Sequence, residues 1–225
     1  MSGTLRIGIL DSGAAAGTGR RFFEREGEIA DDDGLEDRLG HGTEVTRLIA
    51  AGAPDAELLH AQVFGARFTT TPALVAAGLS WLLTQGVALV NMSFGLRADR
   101  EVLRRACADA AVQGVVLIAA APAQGPPCFP AAYPGVVAVT GDARCGPGEV
   151  SDLQGRQAEF GTWCASPEQG GGVIAGASVA TAHFTGLAAA FLRGNSGASL
   201  QALTAEFRAA ARHVGAERRS LSQKA

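Results

Sequence analysis

Short apolar runs that alternate with helix-forming stretches are the feature that most constrains the fold of this chain. The apolar runs are residues 5–10, 56–64, 87–92, 115–121 and 135–140. Helical patterns cover residues 41–51, 71–85, 98–113, 178–192 and 200–213. Continuously apolar strands are typical of parallel sheets that helices cover on both faces. The sequence therefore predicts an α/β fold with a doubly wound, mainly parallel sheet and helices on both faces, in a single domain.

Composition excludes several classes of protein. Hydrophobic residues make up 47% of the chain and charged residues 18%, which is typical of a folded protein rather than a disordered one. The net charge is −3 and the chain has no basic stripe, so we expect no nucleic-acid partner. No apolar run is long enough to cross a bilayer, and the N-terminus lacks the pattern of a signal peptide. We therefore expect a cytoplasmic protein with no membrane partner.

Neither a metal site nor a cofactor site is predicted. The four cysteines, Cys107, Cys128, Cys145 and Cys164, do not have zinc-site spacing, and free thiols are the simplest expectation. The segment GAAAGTGR at residues 13–20 follows a strand but lacks the G-K-[ST] ending of a phosphate loop, so we interpret it as a turn. The acidic run at residues 31–37 is contiguous rather than spaced as calcium ligands are, which indicates a solvated loop. Because this run leads to His41, contact with a basic stretch of a substrate is an alternative.

Three separate segments carry residues that could act together. IGILDSG delivers Asp11 at the end of a strand, HGTEV begins a helix with His41, and GASVATAH begins another with Ser178. A serine hydroxyl becomes a nucleophile when a histidine removes its proton, and a carboxylate orients that histidine. Each residue alone has a common structural role as a turn or capping residue. Together, in this order and with these local motifs, they favour nucleophilic catalysis.

These segments resemble the three active-site signatures of the subtilisin-like (S8) serine proteases. The segments AGAPDAELLHAQVF, ALVNMSFG and FPAAYPGVVAVTG are also similar to segments of that family, so the resemblance covers residues 5–194. It implies a subtilisin-like three-layer architecture and a serine endopeptidase, which hydrolyses peptide bonds with an Asp-His-Ser triad. By position, Asp11 would orient His41, His41 would be the general base and acid, and Ser178 would be the nucleophile.

The resemblance also implies where a substrate would bind. Ser93, Phe94 and Gly95 would form the strand that pairs with an extended polypeptide. Ala120 and Ala121 would line the opposite wall of the first specificity pocket, the pocket for the side chain at the scissile carbonyl.

Departures from the family pattern affect the oxyanion hole. The usual Asn donor is replaced by Ala123, and the usual Thr before the serine is Ala177. Removing one oxyanion donor lowers kcat by about 10²–10³-fold. The backbone N–H of Ser178 remains as a donor, and Gln124 is a candidate for a second one. Pro122 is expected to narrow the first specificity pocket.

The sequence leaves two functions open. The first is an intracellular endopeptidase that processes one or few substrates, with a leader-bearing polypeptide precursor as its partner. The second is a pseudoprotease that binds an extended peptide as a scaffold or chaperone, which the alanines at the oxyanion positions suggest. In either case we expect residues 1–225 to be one peptidase domain without a folding prodomain, and residues 215–225 to be a disordered tail.

Overall fold

The apolar runs that the sequence predicts as strands form the centre of one sheet. The computed structural model describes residues 4–165 and 176–216. Within these residues the strands are β1 (Arg6–Asp11), β2 (Thr18–Arg25), β3 (Glu28–Asp32), β4 (Glu57–Gln62), β5 (Leu89–Met92), β6 (Val116–Ala120), β7 (Val136–Gly141), β8 (Val150–Asp152), β9 (Phe160–Thr162) and β10 (His213–Val214). The helices are α1 (His41–Gly52), α2 (Pro72–Thr84), α3 (Glu101–Val112), α4 (Ala177–Gly194) and α5 (Leu200–Ala209).

The order of the strands reverses beside β1, and such a reversal point is a common place for a ligand site. The sheet runs β10-β8-β9-β7-β6-β5-β1-β4-β2-β3. The pairs β2–β3 and β8–β9 are antiparallel, and the other pairs are parallel. After β1 the chain forms β2, β3 and β4 on one side of that strand and later forms β5 on the other side. Ligands of such sheets bind beyond the carboxyl ends of the strands at this reversal point, so the ends of β1 and β5 are where a site is expected.

Helices cover both faces of the sheet, which confirms the predicted α/β architecture. On one face, α1 and α4 contribute Val45 and Phe184 to a buried core beneath them. On the other face, α2 and α3 contribute Leu79 and Leu103 to a second core. Each fully buried side chain of this size stabilises the fold by about 1.5–3 kcal/mol relative to exposure.

Two glycines let α1 and α4 touch. A Cβ atom on Gly52 would lie 2.8 Å from the Cα atom of Gly186, and one on Gly186 would lie 3.1 Å from the Cα atom of Gly52. The two backbones can approach this closely only because neither residue has a side chain. The contact fixes the helix that begins with His41 against the helix whose first turn holds Ser178.

Several peripheral elements differ from the sequence-based expectations. The turn interpretation of residues 13–20 is wrong for its last residues, because β2 begins at Thr18 and forms a hairpin with β3. This hairpin lies at the edge of the sheet, and most of its side chains face solvent. Its sequence is therefore rich in charged residues and lacks the continuous apolar run by which the central strands were predicted. The helix predicted for residues 200–213 ends at Ala209, and His213 and Val214 pair with β8 instead.

Some expectations fall outside the described part of the chain. Of the tail predicted to be disordered, only Gly215 and Ala216 are described, and residues 166–175 also lie outside the described part of the chain. Among the described helices, none combines the length and the hydrophobicity needed to cross a bilayer.

Candidate active site

Asp11 and His41 form the buried centre of the site. β1 ends at Asp11, whose side chain is held inside the protein with only 1% of the residue exposed. Its Oδ1 atom lies 2.7 Å from Nδ1 of His41 and also accepts a hydrogen bond from the backbone N–H of Ser12 at 2.8 Å. A carboxylate beside Nδ1 keeps the proton on that nitrogen and leaves Nε2 of the neutral ring free to accept a proton.

The environment of His41 favours its protonated form. Burial by itself lowers the pKa of His41, but the hydrogen bond and charge of Asp11 raise it, and the charge of Asp37 raises it further. The net result is a pKa above the ordinary value of 6.5. Such a ring is a better proton acceptor, and its cation is stabilised once formed.

Asp37 connects the segments that carry these two residues, a role that the sequence did not reveal. Its Oδ1 accepts hydrogen bonds from the hydroxyl of Ser12 and from the backbone N–H groups of Leu39 and Gly40. Its Oδ2 accepts from both the N–H and the hydroxyl of Thr43, each at 2.7 Å.

The interpretation of residues 31–37 as a solvated loop is therefore wrong for this last residue. Burial raises the pKa of Asp37, but the hydrogen bonds from Thr43, Ser12 and Gly40 outweigh that effect and hold it below its usual range. Asp31 and Asp32 also differ from the expectation, because they lie in β3 and pair with Arg20 and Arg21 of β2.

Ser178 occupies the first turn of α4 and faces the same cleft as His41. The cleft has a volume of about 800 Å³ and contains both side chains in its lining. In this structure the Ser178 hydroxyl donates to the backbone carbonyl of Ser93 at 2.7 Å. The single proton of the Ser93 hydroxyl has two acceptors within reach, Oδ1 of Asn91 at 2.9 Å and the carbonyl of Ser178 at 3.1 Å. The end of β5 is thus bound to the start of α4.

The cleft wall beside His41 is aromatic. Phe68 is 59% exposed and presents its ring to the edge of the His41 ring, with 5.1 Å between centroids. Phe64 contacts Phe68 on one side and Phe94 on the other. The sequence did not identify Phe64 or Phe68 as site residues. The signal available was Phe68 itself, an aromatic residue in the small and polar segment GARFTT that follows β4.

The structure separates the predicted substrate-binding residues into two groups. Ser93, Phe94 and Gly95 line the cleft beside Ser178. Ala120 and Ala121 are 6% and 2% exposed and are not among the described residues that line it.

Gln124 lies apart from the site. Together with Ala123 it lines a different cavity of about 750 Å³ that also contains Thr140 and Asp142. A donor role for the Gln124 amide thus stays a prediction without support from the geometry. The first helical hydrogen bond of α4 runs from the N–H of Ala180 to the carbonyl of Gly176, so the backbone N–H groups that precede Ala180 at the helix start, including that of Ser178, are candidate oxyanion donors.

No cluster of metal-ligating side chains occurs in residues 4–165 and 176–216. The four cysteines are free thiols in the structure.

A buried Asp–His pair and a serine at a helix start, sharing one cleft at the carboxyl edge of a parallel sheet, define the class of serine hydrolases. The profile of the Peptidase S8 subtilase family matches residues 5–220 of this chain. The chain belongs to that family.

Relatives and solved structures agree with this assignment. The chain is 29% identical over 209 residues to a thermostable alkaline protease of Halalkalibacterium halodurans, a match that covers 82% of this chain and 55% of the relative. It is 27% identical over 210 residues to the alkaline elastase YaB of Bacillus sp. (strain YaB), which covers 82% of this chain and 53% of the relative. The chain thus spans about half the length of these curated relatives.

The fold is similar to that of a cold-adapted subtilisin-like serine proteinase. The two structures have a TM-score of 0.71 and 21% sequence identity, and the match covers 91% of this chain and 81% of the other.

Proposed function

We propose that this protein is a serine endopeptidase in which Ser178 is the nucleophile, His41 the general base and acid, and Asp11 the residue that orients His41. The observation that carries the proposal is the 2.7 Å hydrogen bond from His41 to a buried carboxylate, in the cleft that also holds Ser178. Family membership and the names of the relatives, which are proteases, support the same reaction.

The reaction begins when the Ser178 hydroxyl leaves the Ser93 carbonyl. An extended peptide lying along Ser93 and Gly95 would place one of its own N–H groups on that carbonyl, as an added β-strand does. The peptide then takes the acceptor that Ser178 uses in the free protein, and the hydroxyl is released toward His41.

His41 carries one proton during acylation and a second proton during deacylation. Oγ of Ser178 attacks the peptide carbonyl while Nε2 of His41 takes its proton, which gives a tetrahedral oxyanion. The intermediate collapses, the C–N bond breaks, and His41 gives the proton to the leaving amine. A water molecule then attacks the acyl-enzyme while His41 takes its proton. The bond between the acyl carbon and Oγ of Ser178 breaks, His41 returns the proton to Oγ, and the acid product is released.

Oxyanion stabilisation comes from the start of α4 in this mechanism. Ala123 and Ala177 cannot donate side-chain hydrogen bonds, so the backbone N–H of Ser178 and the positive end of the helix dipole supply it. We expect turnover to be slow relative to a protease with the Asn donor, by about 10²–10³-fold.

The narrower proposal concerns the substrate. A slow peptidase suits the processing of one or few partners better than general digestion, and we propose a leader-bearing precursor polypeptide in the cytoplasm as the substrate. In its most specific form, the substrate is the leader of the small (gamma) subunit of quinohemoprotein amine dehydrogenase. The test of this form is cleavage of that purified precursor at a single bond.

Labelling with a fluorophosphonate tests the proposed activity directly. The wild-type protein is expected to form an adduct on Ser178 and to cleave peptides, whereas Ser178→Ala should do neither while it keeps the wild-type fold. Ser80→Ala is the matched control, because Ser80 lies exposed on α2, outside the cleft.

The pseudoprotease alternative makes the opposite prediction. It is favoured by the engagement of the Ser178 hydroxyl with Ser93 rather than with His41. Peptide binding without any adduct on Ser178, even at high probe concentration, would establish the scaffold and refute the endopeptidase.

A further inference from the structure

Backbone hydrogen bonds hold the segment that carries Cys128 against the segment that follows β5. The N–H of Leu96 donates to the carbonyl of Phe129 at 2.7 Å, and the N–H of Phe129 donates to the carbonyl of Leu96 at 2.8 Å. These paired bonds form an antiparallel bridge next to Gly95 and Cys128. Cys128 is therefore held in place by the same backbone that lines the cleft.

The thiol of Cys128 fills the space between the two predicted walls of the first specificity pocket. A Cβ atom on Gly95 would lie 2.8 Å from Sγ of Cys128, so the thiol rests directly against this glycine. On the other side, Sγ donates to the carbonyl oxygen of Ala120 at 3.4 Å. The same Cβ position on Gly95 is only 3.9 Å from that oxygen, which shows how closely the two walls approach.

This space is where the side chain at the scissile carbonyl would go. β5 and β6 are neighbouring parallel strands, with Met92 beside Ala119, so Gly95 and Ala120 belong to adjacent strand ends. A peptide paired with Ser93 and attacked by Ser178 directs one side chain toward the gap between these ends. The open cleft reaches Gly95, but its lining does not include Cys128 or Ala120, so it does not extend into this gap.

We propose that Cys128 is a specificity-determining residue that closes this pocket, so that the protein cleaves after glycine, alanine or serine and excludes larger residues. The inference rests on the proposed endopeptidase function. Burial raises the pKa of the Cys128 thiol, so the pocket floor is uncharged at neutral pH and offers no partner to a charged side chain.

A peptide library that varies only the residue on the acyl side of the scissile bond tests this inference. The wild-type protein is expected to cleave after glycine, alanine and serine, with kcat/KM for leucine or phenylalanine at least about 10-fold lower, as hydrophobic pockets discriminate side chains by size. Cys128→Gly should raise kcat/KM for the larger residues by about 10-fold or more and leave alanine nearly unchanged. Cys128→Ser, which keeps the size of the side chain, is the matched control and should retain the wild-type profile.

Each outcome has a defined meaning. If the wild-type protein cleaves after leucine or phenylalanine as well as it does after alanine, the inference is overturned and the proposed function stays intact. Protein that neither cleaves any peptide nor reacts with a fluorophosphonate refutes the proposed function itself. If Cys128→Gly does not fold, as judged by circular dichroism, Cys128→Ala removes the same sulfur atom with less backbone freedom and must broaden the profile for the inference to stand.

Discussion

Asp37 shows how a single residue outside the Asp-His-Ser set can control its geometry. The carboxylate binds the Ser12 hydroxyl next to Asp11 and the N–H of Thr43 in the first turn of α1. The Ser12 hydroxyl also accepts from the N–H of Gly42 at 2.9 Å, so both segments are joined through it. Asp37 is a positioning residue in this arrangement.

Replacing Asp37 by Asn is expected to change both catalysis and its pH dependence. The amide group of the asparagine has one oxygen and cannot accept all of the hydrogen bonds that the Asp37 carboxylate accepts. His41 is therefore expected to shift, and kcat to fall by up to about 10²-fold. Loss of the negative charge lowers the pKa of His41, because Asp37 raises it in the wild type. The reaction needs neutral His41, so the acid limb of kcat/KM against pH should move to lower pH.

Kinetics from pH 5 to 9 would measure both effects of this substitution. Asp33→Asn is the control, since the Asp33 side chain is 90% exposed and its removal should not move the acid limb. An unchanged limb and an unchanged kcat in Asp37→Asn would contradict the positioning role.

At the scale of elements, the contact between α1 and α4 determines whether His41 and Ser178 can meet. These helices begin at the cleft and cross where Gly52 faces Gly186. Because their N-termini carry the two side chains, a change at the crossing is transmitted to the site. The helices thus act as rigid supports for residues that are far apart in the sequence.

Gly186→Ala is expected to push these helices apart. The added methyl group would lie 3.1 Å from the Cα atom of Gly52, and overpacking of this kind costs about 1–3 kcal/mol of stability. Urea unfolding would measure the loss, and kcat/KM should fall with it. Gly194→Ala, in the last turn of α4 where an added Cβ meets no other atom, should instead leave stability equal or slightly raised. Equal effects at both positions would show that the crossing does not depend on close approach.

The elements differ in how well the sequence predicts them. β1, β5, β6 and β7 are buried on both faces and have continuous apolar sequences, so they were predicted. β8 and β9 have only three residues each, which is too short for a pattern. The hairpin β2–β3 is stabilised by pairing with β4 and by cross-strand ion pairs such as Arg21–Asp32, and neither is visible in local sequence.

For the molecule as a whole, His60 couples stability to pH. It lies in β4 between β1 and β2 and is 2% exposed, and neither ring nitrogen has a hydrogen-bond partner in the described structure. Burial lowers the pKa of His60 to about 4, and the distant charge of Asp37 opposes this only weakly. The folded protein thus keeps this ring neutral where an unfolded chain would protonate it.

The free energy of unfolding should therefore fall as the pH drops below the ordinary histidine value. Between pH 6.5 and 4 the unfolded state binds one more proton than the folded state, so stability rises with pH in this range. The full effect is on the order of 3 kcal/mol. Urea unfolding at pH 7 and pH 5 should show about 2 kcal/mol of this loss in the wild type and a smaller loss in His60→Phe, because the rest of the effect develops below pH 5. An equal loss in both proteins would assign the acid sensitivity to other groups.

The sequence by itself determined the class of fold, the family and the identity of the residues that could form the site. These follow from local patterns, because burial on two faces dictates apolar strands, and because Asp11, His41 and Ser178 each stand in a distinctive short motif. Their catalytic roles stay predictions until activity is measured. The resemblance to the subtilisin-like family, rather than a local pattern, implied that Ser93 and Gly95 belong to the site, and both line the cleft.

Only the tertiary structure decided which side chains surround these residues. The hydrogen bond between Asp37 and Ser12, the contact of Phe68 with His41 and the contact of Cys128 with Gly95 each join segments that are distant in the chain. Such contacts depend on the order of strands in the sheet and on how closely helices pack. The physical reason is that hydrogen bonding and steric exclusion act over a few ångströms in space, whereas a sequence pattern records only neighbours along the chain.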